Sequence, residues 1–322
     1  MSWLVTGGNG FIGAHVVHAL RKSGRDVVVF DDLSTGIAER VDSDIPVIRA
    51  SLLDTEAVTD ALGAYEVDCV LHFAAKKQPG ESVRNPLLYW RENVGGLLEL
   101  VTAMSAAGVR RLVYSSSASV YGDQAVEVLT EDLAPNPMSP YGETKLAGER
   151  LLADLAAATD LRYVALRYFN AAGAVSPRLA DSGVFNLIPM VFEKITAGRS
   201  PLIFGTDYPT PDGTTIRDYI HVADIASAHV RAADYLVEEG DGSHVLNVGT
   251  GIGTSTREIV RTALDVSGSE LTPVETDRRP GDPAVSIASA ERIHQILGWK
   301  PGHDVREMME SAWEGWISAQ SG

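Results

Sequence analysis

Tyr141 and Lys145 have the types and the spacing that acid–base chemistry needs. They stand four positions apart in a segment that is predicted to be helical, so both side chains lie on one face of the helix. An ordinary tyrosine, with a pKa of about 10, is a poor base near neutral pH. A neighbouring ammonium group stabilises the phenolate and lowers that pKa, so we expect Lys145 to convert Tyr141 into a usable base. Because this spacing occurs in many helices, other residues must support the interpretation.

A serine-rich segment, Ser115 to Ser119, follows the predicted strand Leu112–Tyr114. The carboxyl end of such a strand opens on the crevice where doubly wound sheets bind their ligands. One of these hydroxyl groups could hydrogen-bond a reacting oxygen atom and relay its proton. The segment Met138–Pro140 precedes the tyrosine and fixes the start of its helix.

A glycine-rich turn, Gly7 to Gly13, stands where the first predicted strand leads into a helix. Glycines there permit a tight turn and a close approach of the backbone to a pyrophosphate, and the helix N-terminus supplies free N–H donors. Asp31 ends the second predicted strand and is followed by Asp32. A carboxylate at that point accepts hydrogen bonds from ribose hydroxyls and repels a 2′-phosphate. The pattern therefore predicts an NAD site.

The elements that must position these residues alternate between short apolar runs and amphipathic stretches, which predicts an α/β fold with a doubly wound parallel sheet. After about residue 170 the alternation of predicted strands and helices becomes less regular. We therefore expect a Rossmann-type domain over 1–170 and a smaller, mainly substrate-binding lobe over 171–322. Ser255 and Glu258 have the spacing of a capping box, and the second glycine run, 249–253, is interpreted as a turn. The predicted strands are 3–6, 27–30, 47–50, 70–73, 112–114 and 163–167, and the predicted helices are 11–22, 55–62, 92–107 and one that begins near 141.

The composition narrows the classes of partner. The 322 residues carry a net charge of −16, a field that repels nucleic acid and anionic membranes. Cys69 is the single cysteine, so no intrachain disulfide can form, and a cytoplasmic location is expected. We interpret Cys69 as a small core residue. No cluster of His, Cys and Asp has the spacing of a metal site, so no metal is expected.

Two longer motifs identify a family. Arg167–Asn170 and the run FGTDYPTPDGTTIRDYIHVAD, residues 204–224, resemble the UDP-glucose 4-epimerases of the extended short-chain dehydrogenase/reductase family. The segments 72–83 and 278–282 and the residue Asn93 also fall where motifs of that family fall. The resemblance covers nearly the whole chain, and the run 204–224 is highly specific. It implies NAD-dependent oxidation of a UDP-sugar at C4, rotation of the 4-keto sugar, and return of hydride to its other face.

The resemblance also assigns roles to residues. It implies that Tyr141 is the base, that Lys145 tunes it and holds the nicotinamide ribose, and that Ser117 binds the sugar 4-oxygen. The implied cofactor-side residues are Gly7, Gly10, Phe11, Ile12, Gly13, Asp31, Asp32, Ser51, Leu52, Phe73, Ala74, Ala75, Lys77, Asn93, Ser115, Tyr141, Lys145 and Tyr168. The implied residues of the UDP-sugar side are Ser117, Tyr141, Phe169, Asn170, Asn186, Leu187, Phe204, Arg217, Tyr219, Arg279, Asp282 and Ser286.

Two positions depart from the family pattern. Where family members carry Gly-Asp after the third strand, this chain has Ala50-Ser51, so we expect a weaker contact to adenine, or one made by Ser51 or nearby backbone. Ser286 occupies the position near the sugar 2-substituent, where a bulky aromatic residue excludes an N-acetyl group. The hypothesis that follows is that UDP-GlcNAc and UDP-GalNAc also fit.

The sequence leaves several functions open besides that of a UDP-glucose 4-epimerase. A nucleotide-sugar 4,6-dehydratase would need an acid pair where this chain has Ser117-Ala118-Ser119. A UDP-glucuronate 4-epimerase would need a cation near the sugar C6. A simple dehydrogenase would consume NAD. A non-catalytic NAD-binding regulator often lacks the tyrosine or the lysine. The resemblance further implies a homodimer through the helices at 92–107 and 141–157, and a return of residues 215–250 to the nucleotide domain.

Overall fold

The computed structural model describes residues 2–238, 242–279 and 282–320. Pro280 and Gly281 of the family motif lie outside the described residues. The strands, in chain order, are β1 (Ser2–Thr6), β2 (Asp26–Phe30), β3 (Val47–Ile48), β4 (Val67–His72), β5 (Arg111–Ser117), β6 (Val128–Leu129), β7 (Arg162–Tyr168), β8 (Asn170–Ala172), β9 (Leu202–Phe204), β10 (Ile216–His221), β11 (His244–Val248), β12 (Gly253–Ser255), β13 (Val274–Thr276) and β14 (Val285–Ala288).

Helices alternate with these strands. The α-helices are α1 (Phe11–Lys22), α2 (Thr55–Ala64), α3 (Pro79–Arg84), α4 (Pro86–Tyr89), α5 (Gly96–Ala107), α6 (Pro140–Ala158), α7 (Leu187–Thr196), α8 (Val222–Glu238), α9 (Thr256–Ser267), α10 (Glu291–Leu297) and α11 (Val305–Gln320). Three 3₁₀ turns (Ala38–Arg40, Ala118–Val120 and Pro177–Leu179) and one π-helical turn (Trp90–Gly95) are also described. No helix within 2–238, 242–279 or 282–320 is both long and apolar enough to cross a bilayer.

The main sheet has seven parallel strands in the order β11-β7-β5-β4-β1-β2-β3, and it confirms the predicted fold class. Its central strands are continuous apolar runs because helices cover both faces. The chain leaves β1 in one direction through β2 and β3 and returns to the other side through β4. The carboxyl ends of β1 and β4 therefore flank the point where the strand order reverses, which is where such sheets bind ligands.

Two apolar cores hold the helices on the sheet. On one face, Val16 of α1 and Ala232 of α8 pack with Trp3 of β1. On the other face, Leu97 of α5 and Leu152 of α6 pack with strand residues of the same sheet. A third core, built from α7, α9 and α11 around residues such as Phe192 and Trp316, belongs to the later half of the chain. In that half, β10 pairs with β8, β12 and β14.

The structure differs from the sequence-based elements at two informative places. The helix predicted to begin at Glu92 is preceded by the π-helical turn Trp90–Gly95, which places Asn93 in the interior. Helical periodicity does not reveal one extra residue in a turn, and such bulges are frequent at functional sites. Strand β3 ends at Ile48 instead of residue 50, so Ala50 and Ser51 leave the sheet. By contrast, the capping box at Ser255 and Glu258 is confirmed, as is the end of α5 at Gly108.

Asp218 of β10 joins the turn before β12 to strand β14. Its carboxylate accepts hydrogen bonds from the Thr250 backbone N–H (2.9 Å) and hydroxyl (2.8 Å), from the Gly251 N–H (2.9 Å) and from the Ala288 N–H (3.2 Å). Burial raises the pKa of this carboxyl, while these hydrogen bonds favour its charged form. The second glycine run is thus held as a turn between β11 and β12, as the sequence predicted.

We predict that Asp218→Asn lowers the free energy of unfolding by about 2–4 kcal/mol, because an amide turns N–H donors toward buried backbone donors. Urea unfolding followed by circular dichroism measures the change. The control is Asp60→Asn on the exposed side of α2, where a change within about 0.5 kcal/mol is expected. Equal stability of the two variants would contradict the role given to Asp218.

Candidate active site

The glycine turn is shaped by backbone atoms that leave no room for side chains. Gly7 has a φ of +69°, in the left-handed region, and a Cβ atom built on Gly13 would lie 2.2 Å from the Gly7 oxygen. Gly10 is the N-cap of α1 and provides no side-chain cap, and the first turn of α1 contains no acidic residue. The first N–H groups of α1 therefore remain available to an anion, which the helix dipole also favours.

Asp31 closes the opposite side of the turn. One carboxylate oxygen accepts the Asn9 N–H (2.9 Å) and the other accepts the Leu33 N–H (2.8 Å). Each oxygen keeps a lone pair for a further donor, such as a hydroxyl group. Burial raises the pKa of Asp31, and the two backbone hydrogen bonds lower it.

A cavity of about 250 Å³ extends from the glycine turn to Tyr141. It gathers residues from the ends of β1, β2, β4 and β7 and from the first turns of α1 and α6. All of the cofactor-side residues implied by the sequence line it except Asn93 and Ser115. The structure therefore brings the two chemical groups of the sequence analysis, the glycine turn and the Tyr–Lys pair, into one cavity.

Asn93 and Ser115 lie behind the cavity wall instead. The Asn93 carbonyl oxygen accepts the Lys76 N–H (2.7 Å), and its amide donates to the Lys76 carbonyl (3.0 Å) and to the Thr144 hydroxyl (2.9 Å). It thereby joins the segment that carries Lys77 to α6. The Ser115 hydroxyl hydrogen-bonds the Tyr168 hydroxyl at 2.9 Å.

Ser51 lines the cavity together with Ala50 and Leu52. Its hydroxyl accepts the Leu53 N–H at 3.2 Å. The hydroxyl proton is not used by that bond, so Ser51 can still donate to a ligand atom.

Tyr141 and Lys145 share one face of α6, and both are buried. The N-cap Ser139 accepts the Gly142 N–H, and Pro140 occupies the first turn, as expected for the start of this helix. Ser117, at the carboxyl end of β5, is close enough to the Tyr141 phenol to lower its pKa. The Lys145 ammonium donates to the Ser115 carbonyl at 2.6 Å and lies 5.2 Å from the centre of the Tyr114 ring.

The electrostatics of the pair differ from the sequence-based expectation. Burial raises the pKa of Tyr141 well above its ordinary value, and the nearby Ser117 offsets only part of that rise. Burial also lowers the pKa of Lys145 to about 8, against the opposing effect of Glu149. Desolvation disfavours the charged form of both groups, and in both it is the largest effect. Tyr141 is thus a protonated phenol in this environment.

The residues implied for the UDP-sugar side belong to the later sheet and its neighbours. Asn170 and Tyr219 are register partners in β8 and β10, and Arg217 and Ser286 are partners in β10 and β14. The Asn170 amide donates to the Asp218 carbonyl at 3.1 Å. These pairings place Asn170, Tyr219, Arg217 and Ser286 around one strand, although they are up to 116 positions apart (286 − 170).

Charged groups of the same region are paired or stacked. The Arg217 guanidinium donates to the Ile216 carbonyl at 2.9 Å, and burial lowers its pKa while Asp282 raises it. The Arg279 guanidinium carbon lies 3.8 Å from the centre of the Phe204 ring. Phe169 is buried, Asn186 is the N-cap of α7, and Leu187 is its first residue. Of the residues implied for the UDP-sugar side, only Tyr141 lines the cavity described above.

Sequence reasoning did not identify several residues that line the cavity. The Lys76 ammonium donates to the Ser34 hydroxyl at 3.1 Å, joining two loops of the cavity wall. The buried Arg40 donates to the Ala180 carbonyl at 2.7 Å and so joins segments 140 positions apart. Only Lys76 had a hint in the sequence, since it adjoins Lys77 in the motif 72–83. Among the described residues, no group of three or more His, Cys, Asp and Glu could hold a metal ion.

Comparisons with known proteins agree with this geometry. The UDP-glucose 4-epimerase of Azospirillum brasilense is 45% identical over 94% of this chain and 87% of its own length. That of Lacticaseibacillus casei is 38% identical over 97% and 96%.

Solved structures are also similar to this chain. A UDP-glucose 4-epimerase from Stenotrophomonas maltophila, with bound NAD and formylated UDP-arabinopyranose, has a TM-score of 0.95 and 40% identity, covering 100% of this chain and 99% of its own. One from Bifidobacterium longum, in complex with NAD⁺ and UDP, has a TM-score of 0.91 and 32% identity, covering 100% and 99%. The model of the NAD dependent epimerase/dehydratase family matches residues 3–249. The chain therefore belongs to the NAD dependent epimerase/dehydratase family.

Proposed function

We propose that the protein is a UDP-glucose 4-epimerase that interconverts UDP-galactose and UDP-glucose through a 4-keto intermediate. The observation that carries the proposal is that Tyr141 and Lys145, one helical turn apart on α6, line the same cavity as the glycine turn. A phenol, a hydroxyl and an ammonium group at the end of a dinucleotide cavity suit proton transfer at a sugar hydroxyl.

The residues of the cavity fit NAD. The glycine turn excludes side chains, the first turn of α1 offers free N–H groups, and Asp31 retains acceptor capacity for ribose hydroxyls. The same carboxylate would repel a 2′-phosphate, which favours NAD over NADP. Lys77 supplies positive charge in the same cavity. Bound NAD supplies the acceptor and donor of hydride at the sugar C4.

The chain's own residues handle the proton. Ser117 would bond the sugar 4-oxygen and relay the 4-hydroxyl proton to Tyr141 in its phenolate form, and the phenol would return that proton when the ketone is reduced. Because burial holds the Tyr141 phenol protonated, positive charge must lie near it when it acts as a base. Lys145, fixed by the Ser115 carbonyl, supplies part of that charge.

The UDP portion is assigned to the later sheet. Arg217 and Arg279 suit a diphosphate because a guanidinium group forms paired hydrogen bonds with phosphate oxygens. They provide local positive charge in a chain whose net charge is −16. Phe169, Asn170, Tyr219 and Asp282 complete this side, with the remaining implied residues being Asn186, Leu187, Phe204 and Ser286.

Incubation of the purified protein with UDP-galactose, without added coenzyme, tests the proposal. Formation of UDP-glucose with no accumulation of NADH is the expected result, since epimerisation involves no net oxidation. A simple dehydrogenase would instead reduce added NAD stoichiometrically, and a non-catalytic regulator would leave the sugar unchanged. A 4,6-dehydratase would release a 4-keto-6-deoxy sugar, and a glucuronate epimerase would need UDP-glucuronate.

We also propose a cytoplasmic homodimer, with a nucleotide domain over 1–170 that includes about 215–250 and a mainly UDP-sugar-binding part over 171–322. The helices at 92–107 and 141–157 are the proposed interface. Exposed apolar side chains on and before α5, namely Leu87, Trp90 and Leu98, support that choice.

We predict that Gly13→Ala weakens NAD binding at least about tenfold, or about 1.4 kcal/mol. The added methyl group would meet the backbone of Gly7 at 2.2 Å and force the turn apart. Titration with NAD by calorimetry measures the loss. Gly63→Ala in α2 is the control, because no heavy atom lies within 4 Å of its built Cβ, and it should bind NAD normally. Normal binding by Gly13→Ala would place the dinucleotide elsewhere.

We predict that Tyr141→Phe lowers kcat by about 10²–10⁴-fold, because the proton acceptor is lost. Binding of UDP, measured by calorimetry, should stay within about twofold, since the residues proposed for the diphosphate do not include Tyr141. Tyr65→Phe, at the end of α2, is the matched control and should retain full turnover. Unchanged turnover in Tyr141→Phe would remove the tyrosine from its proposed role.

We predict that the protein also converts UDP-GlcNAc, because the small Ser286 stands beside Arg217 in the paired strands. Ser286→Tyr should lower kcat/KM for UDP-GlcNAc by about 10–200-fold through loss of space for the N-acetyl group. The ratio of kcat/KM for UDP-GlcNAc to that for UDP-galactose, measured for both proteins, gives the result. Conversion of UDP-galactose without any conversion of UDP-GlcNAc by the unaltered protein would defeat the hypothesis.

A further inference from the structure

A buried ion pair lies directly behind the Tyr–Lys pair. Arg167 of β7 donates to both carboxylate oxygens of Glu149 in α6, with its Nε at 2.8 Å and its Nη2 at 2.6 Å. The Ser116 hydroxyl of β5 donates to the first of these oxygens at 2.5 Å. Both charged residues are about 95% buried. A buried ion pair is weak evidence for stability, because the cost of desolvation offsets the attraction, so its position needs another explanation.

That position is defined by the helix. Tyr141, Lys145 and Glu149 stand at successive intervals of four in α6, so the three side chains follow one face. Glu149 is therefore one helical turn from the ammonium group that the proposed reaction uses.

The ion pair also holds the strand that contacts Lys145 and Tyr141. Ser116 and Arg167 are register partners in β5 and β7, and both reach Glu149. Ser116 stands between Ser115, whose carbonyl accepts a hydrogen bond from the Lys145 ammonium, and Ser117, which lowers the pKa of Tyr141. One carboxylate thus fixes the strand segment against which the catalytic side chains are placed.

The other groups that face Lys145 do not supply negative charge. Burial lowers the pKa of His72 in β4 to about 3 and that of His229 in α8 to about 4, so both are neutral at pH 7. Tyr114 of β5, Tyr141 of α6 and Tyr168 of β7 are phenols whose pKa is raised by burial. Arg167 is engaged by the carboxylate itself.

We propose that Glu149, clamped by Arg167 and Ser116, is the counter-charge of Lys145 and a positioning residue of the active site. This inference rests on the proposed epimerase function. Glu149 acts through Lys145 and has no part in contacting the sugar. The charge of the ammonium then depends on a carboxylate that the substrate does not reach.

The electrostatics agree with that assignment. Glu149 raises the pKa of Lys145, in opposition to burial, and the balance is a value of about 8. A lysine is charged below its pKa, so removing the carboxylate lowers the pKa and reduces the charged fraction at a given pH. Activity that needs the ammonium group should then be lost at a lower pH.

The test compares Glu149→Gln with Glu143→Gln, an exposed acid in the first turn of the same helix. Both are assayed for UDP-galactose epimerisation from pH 6 to pH 10. In Glu149→Gln we expect the decline of kcat at alkaline pH to occur about one pH unit lower than in the unaltered protein. The KM for UDP-galactose should stay within about twofold. The Glu143→Gln profile should overlay that of the unaltered protein. An unshifted decline in Glu149→Gln would overturn the proposal.

A second variant guards against a folding defect. Glu149→Gln alone leaves Arg167 buried without a partner, whereas Glu149→Gln/Arg167→Met removes both charges, a change that folded proteins often tolerate. Because it is the Glu149 carboxylate that raises the pKa of Lys145, the double variant should also lose activity at a lower pH. If neither charge removal moves the alkaline decline, the proposal is wrong. Absence of epimerisation in the unaltered protein would instead reject the proposed function.

Discussion

Burial of a lysine ammonium beside a tyrosine phenol is the constraint on which the rest of the site depends. Desolvation works against the charged form of both groups, raising the pKa of Tyr141 and lowering that of Lys145 to about 8. Each polar contact around the pair therefore has an electrostatic purpose. The Ser115 carbonyl accepts a hydrogen bond from the ammonium, the Tyr114 ring lies beside it, and Ser117 lowers the pKa of the phenol.

The parallel sheet makes such burial possible. Strands β5 and β7 end side by side, so hydroxyl, carbonyl and guanidinium groups from two separate segments reach α6 from one direction. The reversal of strand order at β1 places the glycine turn next to these ends. The dinucleotide cavity and the proposed proton-transfer site thus lie at the same edge of one sheet, where open α/β sheets generally bind their ligands.

Much of this arrangement could be predicted from the sequence because it depends on local patterns. The glycine turn, the helix Phe11–Lys22 and the capping box at Ser255 are set by residues close to one another in the chain. The family motifs predicted the set of cavity residues, most of which the structure gathers in one place. The π-helical turn around Asn93 was missed, since one additional residue per turn leaves the apolar pattern nearly unchanged.

Long-range contacts could not be predicted in the same way. Nothing near Glu149 in the sequence indicates that Arg167 will hydrogen-bond it, and nothing near Lys76 indicates its hydrogen bond to Ser34. The direction of the Tyr141 pKa in the folded chain alone also differs from the sequence-based expectation. That expectation considered nearby positive charges, whereas the value in the chain alone depends on how completely the fold excludes water from the phenol.

The hydrogen bond from Arg40 to the Ala180 carbonyl has a consequence for synthesis on the ribosome. A growing chain that has emerged only as far as α6 holds the glycine turn and Asp31, yet it lacks the segment that completes the cavity wall and the edge strand β11. Full coenzyme capture must therefore wait for later residues. Contacts of such sequence separation slow folding, because a long loop must close before they form. The first half of the chain depends on the second for its finished shape.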